Sequence, residues 1–83
     1  MDEAMVQRHL NMAREHIILG EQHIARQRLI LARLAERGSN SAEAERLLVN
    51  FQESQVMHVA HRDRLEAELL AMKGHDDSRS LVP

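Results

Sequence analysis

Hydrophobic and small residues along the chain form two long rows in which successive positions are separated alternately by four and three residues. This spacing is typical of the buried seam of a coiled coil and predicts two long amphipathic helices. A few polar residues interrupt each row near its middle. The rows are Val6, Leu10, Ala13, Ile17, Gly20, Ile24, Gln27, Leu31 and Leu34, then Ala44, Leu48, Phe51, Gln55, His58, Arg62, Leu65, Leu69 and Met72.

Turn-forming residues separate the two rows. Gly38-Ser39-Asn40-Ser41 is the internal turn signal, and Gly74 is the next one. Glycine after a basic residue commonly ends a helix, and Asn or Ser commonly begins one. We therefore predict one hairpin domain over residues 1–74, followed by a flexible tail over 75–83. Within the domain we expect a helix over about 3–37, a turn at 38–40 and a helix over about 41–73.

The composition supports an all-α fold. The 83 residues include one Phe, no Trp or Tyr, three Gly and one Pro, whereas β-sheet proteins favour aromatic residues in strands and Gly or Pro in turns. The absence of Cys excludes disulfides and thiolate metal sites. Two helices cannot enclose a core from every side. We therefore expect two hairpins to form a four-helix bundle, so that the chain is its own first partner; a higher oligomer or a different partner chain is the alternative.

Further hydrophobic residues lie beside or behind the two rows. Such wide apolar stripes indicate helices that pack against more than one neighbour. We predict that these residues form the dimer face: Met5, Met12, Ile18, Leu19, Leu29, Ile30, Leu47, Val56, Val59 and Leu70.

The middle of the seam should form a polar layer. We expect it to contain Gly20, Gln27, Gln55, His58 and His61. With His58 opposite Gly20, a neutral imidazole would fill the space beside the glycine. A histidine buried in its neutral form supports the fold above about pH 6.5, and this support is lost as the pH falls. A pH-responsive bundle is therefore one alternative.

The histidines also raise the possibility of a metal site. His58 and His61 are three residues apart and share a helix face, and antiparallel pairing brings His16 near them. These three side chains are the candidate ligands for a transition metal. Against this, the chain lacks the Glu-x-x-His pairs of ferritin-like di-iron bundles. The favoured interpretation is that the histidines are structural, with no cofactor.

A nucleic-acid-binding bundle is a further alternative. Arg8, Arg14 and Arg28 are the candidate phosphate contacts on the first helix. Acidic residues lie among them, and the net charge of the chain is −2. The charge distribution therefore disfavours a nucleic-acid partner.

Two stretches of the chain resemble a set of small uncharacterised bacterial proteins. GEQHIARQRLI at 20–30 and RLLVNFQESQVMHVAHRDRLEAEL at 46–69 match a Gly-Glu-x-His-Ile-x-x-Gln-Arg segment, then Leu-Leu-x-x-Phe and His-x-x-x-Arg-x-Arg-Leu. The resemblance implies a cytoplasmic helical hairpin and no reaction. By architecture alone, the expected hairpin also resembles the Rop-type RNA-binding dimers, an analogy that does not establish function.

No catalytic motif is found in the sequence. It contains no phosphate-binding glycine loop, no His-Glu-x-x-His and no nucleophile elbow. It also has no signal-peptide core and no apolar run long enough to span a membrane. We therefore expect a cytoplasmic, non-enzymatic interaction or regulatory protein that acts through a dimeric bundle surface, with another protein as the possible further partner.

Overall fold

The protein folds as a two-helix antiparallel hairpin. The computed structural model describes the backbone of residues 2–81 and the side chains of residues 2–74. Helix α1 spans Glu3–Arg37 and helix α2 spans Ala42–Leu81, and the two pack along their length. The molecule measures 72 × 17 × 14 Å. The predicted all-α hairpin is confirmed.

The end of α1 is set by Gly38. This residue adopts φ 67°, in the left-handed region that glycine tolerates best. Its N–H donates to the Ala35 carbonyl at 3.1 Å, and the N–H of Ser39 donates to the Leu34 carbonyl at 3.0 Å. These two bonds form a Schellman motif, which satisfies the last carbonyls of the helix.

Side-chain caps satisfy free backbone N–H groups at the start of both helices. At α1, Asp2 Oδ1 accepts a hydrogen bond from the backbone N–H of Met5 at 2.7 Å. At α2, Asn40 Oδ1 accepts from the backbone N–H of Ala42 at 3.0 Å. Both residues are of the types that favour helix N-termini. The predicted starts of the helices therefore agree with the structure to within one residue.

The left-handed conformation of Gly38 leads to a testable prediction. Gly38→Ala should lower the free energy of unfolding by about 1–2 kcal/mol, because a Cβ atom disfavours this backbone conformation. A chemical-denaturation curve measures the change. Gly74→Ala is the matched control, since neither glycine has a neighbouring atom where a Cβ would be placed. Gly74 lies within a helix, so its replacement should stabilise the protein by up to about 1 kcal/mol. Equal effects of the two changes would contradict this explanation.

Helix α2 does not end where the sequence predicted. It continues past Gly74 to Leu81, so that residues 75–81 are helical and do not form the expected tail. Gly74 does not adopt a positive φ, and a glycine inside a helix costs only about 1 kcal/mol. No proline occurs before position 83 to stop the helix. The remainder of the predicted tail, residues 82–83, lies outside the described residues.

The two predicted rows form the contact between the helices. Every position of both rows is buried or half-buried in the structure. The most tightly packed part lies at the open end of the hairpin, away from the turn. There the core cluster consists of Val6, Leu10, Ala13, Leu65 and Leu69, with Met72 against it.

Candidate functional site

The middle of the hairpin contains a polar contact that depends on Gly20. The side chain of Gln55 lies across this glycine, and its Nε2 donates to the backbone carbonyl of Ile17 at 2.8 Å. A Cβ atom at position 20 would overlap the Gln55 amide, whose Cδ lies 2.7 Å from that point. Gln55 Oε1 is the only buried side-chain polar atom among residues 2–74 without a hydrogen-bond partner.

A second glutamine makes the same type of bond nearer the turn. Gln27 is 5% exposed, and its Nε2 donates to the backbone carbonyl of Ala44 at 2.9 Å. A carbonyl oxygen can accept two hydrogen bonds, so a helix can keep its own bond and accept one from the other helix. We call Gly20, Gln27 and Gln55 the polar waist. These three residues lie where the sequence placed a polar layer.

The two histidines of the predicted layer are arranged differently. Gln55, and not His58, fills the space beside Gly20. His58 is half-buried and instead faces His16, with ring centroids 5.5 Å apart and an interplanar angle of 47°. His61 is exposed and lies outside the layer. The predicted register was therefore wrong at this point, and the pH dependence argued from His58 beside Gly20 loses its structural basis.

A groove of about 320 Å³ runs over Gly20 and Gln55. In its wall, the ring of His23 stacks on Phe51 with centroids 5.4 Å apart and an interplanar angle of 20°. The groove is lined by His16, Leu19, Gly20, His23, Phe51, Ser54, Gln55 and His58. It therefore brings three imidazoles together with the apolar side chains of Leu19 and Phe51.

The predicted three-histidine metal site is not formed. Within the part of the chain that the structure describes, no three His, Asp or Glu side chains come close enough to hold one ion. His16 and His58 face each other across the two helices, whereas His61 lies with Met57 and Arg64 at a neighbouring groove.

The exposed side of α1 next to this groove carries a second row with the same alternating spacing. It consists of residues 5, 9, 12, 16, 19, 23, 26 and 30. Helical periodicity brings residues 47, 54, 57 and 61 of α2 to the same side. We call this surface the histidine face: Met5, His9, Met12, His16, Leu19, His23 and Ile30 of α1, with Leu47, Ser54, Met57, His58 and His61 of α2. All five histidines between residues 2 and 74 lie on it.

The predicted dimer face is divided between two sides of the hairpin. Five of its members belong to the histidine face: Met5, Met12, Leu19, Ile30 and Leu47. Ile18, Val56, Val59 and Leu70 fall on the opposite side by the same periodicity, and Leu29 points away from α2. All ten are exposed except Val59, which is half-buried.

Sequence reasoning missed two large exposed hydrophobic residues, Met57 and Val49. Helical spacing along α2 contains the signal for both, because residues four or seven apart share a face of the helix. Met57 shares a face with His61, and Val49 shares the opposite one with Val56.

The candidate nucleic-acid residues do not form a basic patch. Arg14 donates to Glu66 Oε2 at 3.3 Å, and Arg62 lies 3.3 Å from the other carboxylate oxygen of Glu66. Arg28 is fourteen residues beyond Arg14, which corresponds to about 21 Å along a helix. Arg8 lies at a helical position that faces away from α2. The three predicted arginines therefore do not converge on one phosphate-binding surface.

Comparison with known protein families, with curated proteins and with solved structures finds no match for this chain. Among the described residues, neither helix has an apolar stretch of the length needed to cross a bilayer.

Proposed function

We propose that the protein is a non-enzymatic interaction protein whose hairpins dimerise through the histidine face into a four-helix bundle. The observation that supports this most strongly is the second row on α1. From Met5 to His23 the row contains only methionine, leucine and histidine, with no formally charged residue. A solvated helix surface normally carries charges, and uncharged stripes mark packing surfaces.

The size of the histidine face fits a second copy of the chain. The hairpin is 17 Å wide, and the 35 residues of α1 extend over roughly 52 Å at 1.5 Å per residue. A flat face of these dimensions covers roughly 850 Å², close to the ~800 Å² that each partner contributes to a typical stable interface. In a dimer with twofold symmetry, the histidine face of each chain packs on the same face of the other, so that one interface covers both without a different protein.

The proposal is tested by the mass of the protein in solution. The wild-type protein should sediment as a species of about 19 kDa, twice the 9.5 kDa of one chain. Leu19→Glu should shift this species towards the monomer, because it replaces an apolar side chain with a charged carboxylate that the interface would have to desolvate. Analytical ultracentrifugation over a concentration series measures the shift, which should reach at least tenfold in the dissociation constant.

Ile18→Glu is the matched control. Ile18 is the neighbouring residue and is 55% exposed, compared with 50% for Leu19, but it lies on the opposite side of the hairpin. This variant should remain dimeric. A monomeric wild-type protein, or equal dissociation of the two variants, would overturn the proposal.

A further inference from the structure

We infer that His16 and His58 form a two-histidine site for a borderline transition-metal ion such as Zn²⁺ or Ni²⁺, linking α1 to α2. The two rings come from different helices of one chain, and they face each other in the groove that runs over Gly20 and Gln55. This site is smaller than the three-histidine cluster predicted from the sequence and does not include His61.

The separation of the rings supports the inference. Zinc lies about 2.0–2.1 Å from each ligating imidazole nitrogen, which places each ring centre about 3.2 Å from the ion. At a tetrahedral angle, two such centres are about 5.2 Å apart. The observed distance between the His16 and His58 centroids is 5.5 Å. The two rings therefore reach the required spacing with little movement of either helix.

The chemistry of the groove selects the class of ion. Its lining residues, all within the described part of the chain, provide imidazoles but no carboxylate or thiolate. Magnesium and calcium require several oxygen ligands, whereas imidazole suits zinc, copper and nickel. Water would complete the coordination of an ion held by two imidazoles.

The other histidines of α1 do not belong to this site. His9 and His23 are each seven residues from His16, which corresponds to about 10 Å along the helix. The His23 ring is also stacked on Phe51. The inference therefore assigns one ion to one hairpin and does not require the dimer.

The experiment uses the full chain, purified without an affinity tag and freed of metal. Isothermal titration with ZnCl₂ and with NiCl₂ should show saturable binding of one ion per chain. Because the ligands come from two helices and bind only when the hairpin is folded, the ion should also raise Tm. The rise should be roughly 10 °C or more at an ion concentration about a hundred times Kd.

His16→Gln should weaken binding roughly tenfold or more, because it removes one of two protein ligands. His16 is exposed, so this variant should fold normally without metal. His9→Gln is the control, since His9 occupies the equivalent helical position but faces no histidine on α2 within the described residues. It should bind as the wild type does.

Three results would overturn the inference. The first is the absence of saturable binding, and the second is an equal loss in His9→Gln and His16→Gln. The third is a doubling of mass when metal is added, because the site would then lie between chains. If the protein dimerises but binds no metal, the proposed function is supported and this inference is wrong. If a monomer binds metal, this inference is supported and the proposed dimer is wrong.

Discussion

Leu10→Ala is expected to lower the free energy of unfolding by about 2–5 kcal/mol, the range for truncating a buried leucine. Leu10 is 1% exposed and lies in the core cluster at the open end of the hairpin. A domain of this size has only a few kcal/mol of net stability from its core. The loss should therefore reduce Tm by roughly 10 °C or more. Thermal denaturation followed by circular dichroism at 222 nm measures the change.

Leu29→Ala provides the control for this experiment. Leu29 is on the same helix and undergoes the same chemical change, but it is 51% exposed and points away from α2. Its replacement should change stability by no more than about 0.5 kcal/mol. If both variants lost similar stability, the cluster around Leu10 would not be the main core of the molecule.

The second large effect should come from Gly20→Leu. The Gln55 amide occupies the space that any side chain at position 20 would need. The leucine must displace this amide and break its hydrogen bond to the Ile17 carbonyl. Overpacking costs about 1–3 kcal/mol and the lost hydrogen bond about 1 kcal/mol, partly offset by the better helix propensity of leucine. We expect a net loss of about 2–3 kcal/mol in urea denaturation.

A double-mutant cycle tests whether Gln55 causes this loss. Gln55→Ala removes the obstructing amide, so Gly20→Leu should be less harmful in that background, by about 0.5–3 kcal/mol. Gly74→Leu is the control for the glycine substitution itself, since nothing lies within 4 Å of its Cβ position. A Gly20→Leu penalty that is unchanged in the Gln55→Ala background would refute the role assigned to this pair.

The helices and their buried faces could be read from the sequence because both depend on local spacing. The seam from Val6 to Leu34 follows from helical periodicity, and the end of α1 follows from the backbone freedom of Gly38. The predicted end of α2 is wrong because it assumes that Gly74 ends its helix as Gly38 does. A glycine ends a helix when it adopts positive φ, and residue type alone does not determine that conformation.

The arrangement of the site was harder to predict. Successive positions of a row, three or four residues apart, all face the other helix, so their spacing does not determine which of them meets a given residue there. Periodicity alone therefore could not decide whether Gln55 or His58 covers Gly20. The packing of the Gln55 amide against Gly20 and its bond to Ile17 distinguish these registers, and both depend on three-dimensional contacts.

The core cluster at the open end also affects the order in which the hairpin forms. Leu10 and Leu65 are about 55 residues apart in the chain, so their contact closes a long loop, and the entropic cost of closure rises with loop length. The seam leucines nearest the turn, Leu31, Leu34 and Leu48, are only half-buried, so their contacts contribute less free energy when they form early. If the two helices pair progressively from the turn at Gly38, most of the stability is therefore gained in the last steps, when the open end packs. The rate of folding should therefore depend on how quickly this long loop closes.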